Sequence, residues 1–284
     1  HTSSRRQRQM CIRDSPITFD FKFELASTKK IKYKISRYLW YSFLIMQKKV
    51  APKLETIVTP SKSSKNGIVA EFNCKSSNIT VINNGLDYEE FAPISNIERN
   101  KNRLITTASA DVALKGLDFS LKALKLLKKN NPKIHLIIIG APKKNGHTEK
   151  LIKKLNIEDN VIFKKNISKE KIKELYSTSS IAIVSSLYEG FGYPVIEAMS
   201  CEVPLIATNI SSIPELVRSY GILIDPKDEK KLSFNIEKVL NNYDDYKDNA
   251  IKGRQHVIET FNWHKITAEY EKILYKTIEK FKKC

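Results

Sequence analysis

Apolar positions fall into two rhythms along this chain. From residue 103 onward, short continuous apolar runs alternate with stretches in which apolar residues recur every three or four positions. The first kind reads as strands buried on both faces, the second as helices with one buried stripe. The runs predict strands over 104–107, 134–140, 161–164, 181–185, 205–208 and 222–224. Helices are predicted over 118–129, 148–155, 169–177, 194–201, 213–219, 228–241 and 246–259. This alternation is the pattern of a doubly wound parallel α/β sheet, whose ligands lie at the carboxyl ends of the strands. Before residue 103 the pattern is sparser: a helix over 30–50, strands over 56–58 and 79–82, a helix opened by Ser61-Lys62-Ser63-Ser64, and the turn Asn83-Asn84-Gly85. A last amphipathic helix is predicted over 266–281.

The stretch 181–208 carries the chemistry. Its strand stops at Ser185-Ser186, a loop Glu189-Gly190-Phe191-Gly192 follows, and Pro194 stands where a first helical residue would be. A helix beginning near Tyr193 or Pro194 points its N-terminal amides and positive dipole end into that loop, an anion site suited to phosphate. Gly190 and Gly192 remove side chains that would keep a ligand off the backbone. Glu189 and Glu197, with seven residues between them, are placed to accept hydrogen bonds from hydroxyl-rich groups on either side of the phosphate. Glu197 suits a ribose and Glu189 a hexose, which together describe a nucleotide sugar. The plainer alternative is that Glu189 caps the helix and Glu197 is solvated. The glycines, the proline and the strand end favour the site.

A second element belongs at the same edge. After the strand over 104–107 comes a loop ending in Lys115-Gly116, just before a helix. A lysine there can neutralise charge that grows on a departing diphosphate. In so lysine-rich a chain a solvated side chain is the alternative.

Glu189-Gly190-Phe191-Gly192-Tyr193-Pro194-Val195-Ile196-Glu197 and its flanks resemble the E-x7-E signature of the retaining family 4 glycosyltransferases. The segments 16–21, 58–72 and 81–93 are also similar to that family. The resemblance implies the two-lobed GT-B fold, an α/β class. A complete Rossmann-like donor domain would be joined to the remnant of an N-terminal Rossmann-like acceptor-side domain. It implies Glu189 and Lys115 as candidate catalytic residues. The implied donor-binding set is Gly190, Phe191, Gly192, Tyr193, Pro194, Val195, Glu197, Ser109, Asn166 and Ile167, the last two where relatives meet the nucleobase. Ala110 stands where relatives carry an arginine before the Lys115-Gly116 pair, and Asp14-Ser15 where they carry a histidine. The implied reaction moves a sugar from a nucleotide diphosphate sugar to an acceptor hydroxyl with retention, the leaving phosphate assisting the incoming hydroxyl. A GT-B-shaped nucleotide-sugar epimerase, and a donor-binding module without activity, are the alternatives.

Composition narrows the partners. The 284 residues are 41% hydrophobic and 28% charged, with a formal net charge of +18. That balance attracts phosphorylated ligands or lipid headgroups, but the basic residues are spread along the chain and no nucleic-acid-binding motif accompanies them. Nucleic acid is therefore not an expected partner. The expected ones are a nucleotide-sugar donor and a glycan, lipid or small-molecule acceptor. Cys11, Cys74, Cys201 and Cys284 show no metal-ligand spacing, and no Asp-x-Asp element is present. Neither a metal nor another cofactor is expected, and the cysteine usage suggests a reducing, cytoplasmic setting. No apolar run approaches the roughly 20 residues of a membrane span. The basic amphipathic helix over 30–50, with Ile35, Leu39, Tyr41, Phe43, Leu44 and Met46 on one face, leaves peripheral contact at the inner membrane face open, although core packing is the favoured reading. His147, His256 and His264 are given solvated or packing roles.

Four segments are expected. Residues 1–15, arginine-rich in a lysine-rich chain, look like translated adapter sequence and are expected to lack structure, which would make the chain N-terminally truncated. Residues 16–97 form the remnant and linker, 98–262 the nucleotide-sugar-binding domain, and 263–284 a helix crossing back to the first lobe.

Overall fold

The computed structural model describes residues 10–12, 18–26, 30–108 and 110–282. The chain divides into two compact units, His1–Gly85 with Trp263–Cys284, and Leu86–Asn262.

In the first unit, strands β1 (Met10–Ile12), β2 (Thr56–Thr59) and β3 (Ile79–Val81) lie parallel in that order. The expectation that 1–15 lacks structure fails at Met10–Ile12, which pairs with Thr56, Ile57 and Val58. The remainder of that segment, with Pro16 and Ile17, lies outside the described residues. The helix expected over 30–50 is split. After α1 (Thr18–Ala26) come α2 (Ile31–Trp40) and α3 (Phe43–Val50), separated at Tyr41, whose ring turns inward onto Phe21 at 5.0 Å. Of the six residues placed on its apolar face, Tyr41 and Leu44 are buried, while Ile35, Leu39 and Met46 are exposed. Core packing therefore holds for α3 but not for α2, none of whose residues is buried. Helix α4 (Lys62–Phe72) starts as its sequence dictates, the Ser61 hydroxyl accepting the Ser64 N–H at 3.0 Å. The C-terminal helix, numbered α12 below (Trp263–Lys282), belongs to this unit, with Ile266 in one cluster with Val58 and Ile82.

The second unit holds a six-stranded parallel sheet in the order β6-β5-β4-β7-β8-β9. Its strands are β4 (Asn100–Thr107), β5 (His135–Ile139), β6 (Val161–Lys164), β7 (Ser179–Val184), β8 (Leu205–Thr208) and β9 (Ile222–Ile224). Side chains alternate between two cores, as the pleat requires. Ile105, Ile137, Ala182, Val184 and Leu205 enter one, and Leu104, Leu136, Ile138, Ile181, Ile183 and Ile206 the other. Helices α7 (Lys169–Thr178), α8 (Tyr193–Ser200), the short α9 (Ile213–Val217) and α11 (Tyr243–Thr260) cover the first. Helices α5 (Leu117–Lys128), α6 (His147–Leu155) and α10 (Glu229–Asn241) cover the second. This is the doubly wound architecture the alternation predicted. The boundary falls at Gly85–Leu86 and not at 97–98, because Leu86 and Phe91 are buried in the second unit's core and the Leu86 N–H donates to the Phe261 carbonyl at 2.8 Å.

One arginine fastens the layers. Arg99 donates to the carbonyls of Tyr176, Ser179, Cys201 and Glu202 at 2.8–3.0 Å, satisfying the C-terminal ends of α7 and α8 together.

Candidate active site

The strand order reverses direction between β4 and β7, so the crevice of this sheet opens between the loops that leave those two strands. Residues 108–116 follow β4 and 185–192 follow β7. The loops are stitched together. The Leu187 N–H donates to the Leu114 carbonyl at 2.7 Å, and the Ser185 hydroxyl donates to the Gly116 carbonyl at 3.0 Å. Gly116 makes this approach possible, with a φ of 63° and a position where an added Cβ would sit 1.9 Å from the Ser185 carbonyl oxygen.

Across the crevice Lys115 meets Glu189, Nζ to Oε1 at 2.8 Å. The two residues lie 74 positions apart, and their juxtaposition is the central fact of the site. Glu189 is buried, and the same Oε1 accepts the Ser186 hydroxyl at 2.6 Å. Its backbone is held from β8's loop: the N–H donates to Ser211 Oγ at 2.9 Å, and the Ser212 hydroxyl donates to the carbonyls of Glu189 and Phe191. A buried carboxylate so anchored points a fixed acceptor and a fixed charge into the crevice.

Helix α8 begins beside this pair. Gly192 is its N-cap at a φ of 111°, with Pro194 in the first turn, as the sequence predicts. Two of the amide positions over 192–195 are already accounted for. Pro194 has no N–H, and the Val195 N–H already donates to the Gly192 carbonyl at 3.0 Å. The side chains of Phe191 and Val195 lie in the core, Phe191 edge-on to Tyr193 and Phe261, so neither offers its side chain to a ligand.

Glu197 lies one turn along α8, half-buried. Its Oε2 accepts the hydroxyl of Tyr176 at 3.3 Å, and that hydroxyl also meets Thr107 Oγ1 at 2.8 Å. Burial raises the Glu197 carboxyl to a pKa of about 7. The Tyr176 hydrogen bond works against this, the charge of Glu90 adds to it, and Lys169 counters. Glu90 and Lys169 are themselves paired at 2.9 Å. Two carboxyls eight positions apart thus differ sharply in environment.

Around this centre, Ile167 packs with Tyr88 and Ile139 against the first core, and Asn166 is exposed with a φ of 51°. Gly190 is half-buried and Tyr193 exposed. Ser109 lies outside the described residues. Ala110 is buried in the second core and supplies no charge. Sequence reasoning missed Asp111, which draws the loop after β5 onto the loop after β4. Its carboxylate accepts the N–H groups of Thr148 at 2.8 Å and Lys143 at 2.6 Å. Burial alone would raise the Asp111 carboxyl, but these hydrogen bonds outweigh it and hold it below its usual value. Ser186 also went unread, although its place three residues before Glu189 in a tight turn was a usable signal. Nothing in the sequence pointed to Tyr176, Ser211 or Ser212. Of the histidines, His147 pairs with Asp118 at 2.7 Å and His256 is buried on Tyr220. No group of three or more His, Cys, Asp or Glu able to hold a metal occurs among the described residues, and no helix among them is long and apolar enough to cross a membrane.

Residues 87–256 match the profile of the glycosyl transferases group 1. The chain belongs to this glycosyltransferase family. Over 272 residues, 95% of its length, it is 32% identical to an MMP α-(1→4)-mannosyltransferase of Mycolicibacterium hassiacum, covering 65% of that protein. It is 24% identical to an uncharacterized glycosyltransferase of Methanocaldococcus jannaschii over 75% of this chain and 58% of that one. The glycosyltransferase chain thus spans less than two thirds of the length of these curated relatives. Among solved structures it resembles a sucrose-phosphate synthase of Thermosynechococcus elongatus, with a TM-score of 0.78 and 19% identity over 95% of this chain and 68% of that one. It also resembles Anabaena HepE, solved with UDP and glucose, with a TM-score of 0.74 and 18% identity over 83% of this chain and 67% of that one. The fold is GT-B, as the E-x7-E resemblance implied.

Proposed function

We propose that this chain is the donor-binding part of a retaining hexosyltransferase that uses a nucleoside diphosphate sugar. The observation that carries the proposal is the Lys115–Glu189 pair set across the switch point of the sheet, with Glu197 one turn along the adjoining helix. Lys115 faces the diphosphate, Glu189 accepts from the sugar hydroxyls, and Glu197 accepts from the ribose. In the transfer, the bond from the anomeric carbon to the phosphate oxygen breaks while the acceptor oxygen bonds to that carbon on the same face. The acceptor's proton passes to the departing phosphate, whose growing negative charge Lys115 meets without a metal. The mannosyl donor chemistry in the name of the mannosyltransferase relative, and the UDP and glucose bound to HepE, support this choice of substrates. The acceptor is a glycan, a lipid or a small molecule. For a lipid, the exposed α2, with Ile31, Ile35 and Leu39 beside Lys32 and Lys34, offers a contact with an anionic surface from the cytoplasmic side. No observation favours the epimerase alternative.

Calorimetric titration of the chain with a panel of UDP- and GDP-linked hexoses is expected to find at least one donor that binds. Its affinity should fall at least about tenfold in Glu197→Ala, since hydrogen bonds to a charged acceptor are each worth about 1.5–3 kcal/mol. Equal affinity of both proteins for every member of the panel rejects the assignment.

The ion pair predicts a less obvious result. Glu189 holds Lys115 in the unliganded chain, so Glu189→Gln should release the lysine and raise the affinity for UDP or GDP alone by about 2–5-fold, the size of a partly exposed ion-pair competition. The advantage of the sugar-bearing donor over the bare diphosphate should shrink in the same variant. Weaker binding of the bare diphosphates would show that Lys115 does not serve them.

A further inference from the structure

Tyr176 is buried, and its hydroxyl stands between two parts of the site. On one side is Thr107 Oγ1, at the end of β4, at 2.8 Å; on the other is Glu197 Oε2, on α8, at 3.3 Å. A phenol has one proton to give and one oxygen to accept with. If the Thr107 hydroxyl donates to the phenol oxygen, the phenol proton goes to Glu197, and the chain of donors runs in one direction from the sheet to the carboxylate. Tyr176 itself is fixed by the core. It packs in the first cluster with Leu175 and Val195, and its carbonyl accepts from Arg99 at 2.9 Å.

We propose that Tyr176 is a positioning residue for the donor's ribose, fixing one oxygen of Glu197 so that the other faces the ribose diol as an ionised acceptor. This rests on the donor reading above. The charged and titratable groups facing Glu197 are Tyr176 and Lys169 from α7, Glu90 from the segment before β4, and Cys201 at the C-cap of α8. Lys169 is already paired with Glu90, and the Cys201 thiol is pushed up to about 12 by burial and turned to the Phe91 carbonyl at 3.3 Å. Tyr176 is thus the neighbour that donates a hydrogen bond to the Glu197 carboxyl.

The test uses UDP and GDP with their 2′,3′-dideoxy counterparts, titrated calorimetrically against the full chain, Tyr176→Phe and Glu197→Gln across pH 5.5 to 8.5. In the parent chain the ribonucleotide should bind at least about tenfold more tightly than the dideoxynucleotide at pH 8. It should lose that advantage as pH falls through the Glu197 value of about 7. In Tyr176→Phe the ratio should drop to under about threefold at pH 8, and the midpoint of its pH dependence should move to higher pH, because a hydrogen bond to the ionised form has been removed. Binding of the dideoxynucleotide should stay unchanged, which damage to the fold would not allow. An unaltered ratio and midpoint in Tyr176→Phe, with the ratio lost in Glu197→Gln, overturns the role of Tyr176 and leaves the donor reading intact. A ratio near one in the parent chain overturns both, and is recognisable before any variant is made. Should Tyr176→Phe fail to fold, Thr107→Val decides. It keeps the phenol but frees it from its donor, and an unaltered ratio and midpoint there reject the relay.

Discussion

Replacing Gly116 with alanine is expected to destabilise the second unit by about 3–5 kcal/mol and to abolish donor binding. Two penalties coincide at this position. A φ of 63° is disfavoured for any residue with a Cβ, and the new methyl would sit 1.9 Å from the Ser185 carbonyl oxygen, a main-chain atom of the adjoining loop. That carbonyl stands at the start of the loop after β7, so relief requires the two loops that frame the crevice to separate. The Ser185 hydroxyl bond to the Gly116 carbonyl and the Lys115–Glu189 pair would part with them. Urea denaturation followed by circular dichroism measures the loss. Gly253→Ala is the control, a helical position without positive φ, where the nearest neighbour is Tyr220 Cβ at 3.2 Å. It should change stability by under about 1 kcal/mol, the gain in helix propensity offsetting mild crowding. Equal stability of Gly116→Ala and the parent chain would mean that the loops are not locked together as described.

The second large effect sets stability against function. Glu197→Gln should stabilise the chain at pH 8 by about 2–3 kcal/mol while weakening donor binding. The carboxyl has a pKa of about 7 in the folded chain against an ordinary value of 4.5. A carboxyl raised on folding binds its proton more tightly in the folded state. Its burden is therefore absent below about pH 4.5, grows as pH climbs toward 7, and is complete above that. Glutamine is neutral throughout and can still accept from Tyr176. The two proteins should accordingly unfold at the same denaturant concentration at pH 4, and diverge in favour of the glutamine variant between pH 5 and 8. Parallel midpoints at every pH would show that Glu197 is not the desolvated group it is taken to be. A native carboxylate retained against this burden is what a binding role explains.

Much of the second unit was legible because its code is local. Each strand of the sheet is an apolar run bounded by turn residues, and each crossover is a helix with its own stripe. The expected strand over 205–208 is β8 to the residue, and that over 181–185 is shifted by no more than two positions at either end. The start of α8 was legible for the same reason, since Gly192 and Pro194 write a helix N-terminus into adjacent positions. The first unit was read less well. Helix α2 shows an amphipathic period yet buries nothing, and β1 arises where no propensity announced it. Periodicity records what a helix is able to bury, whereas burial depends on what stands opposite.

The linear order of residues thus determined the α/β architecture and the crevice edge, and singled out Glu189, Glu197 and Lys115 as candidate site residues. The tertiary structure alone decided how they meet. Lys115 reaches Glu189 across 74 residues, Tyr176 reaches Glu197 from another helix, and Arg99 gathers four carbonyls from two helix ends and their flanks. Those contacts carry no sequence signature because they are set by strand order and helix packing. A side chain's charge and reach are fixed by its type, but its partner and its degree of desolvation are fixed only when distant segments close around it.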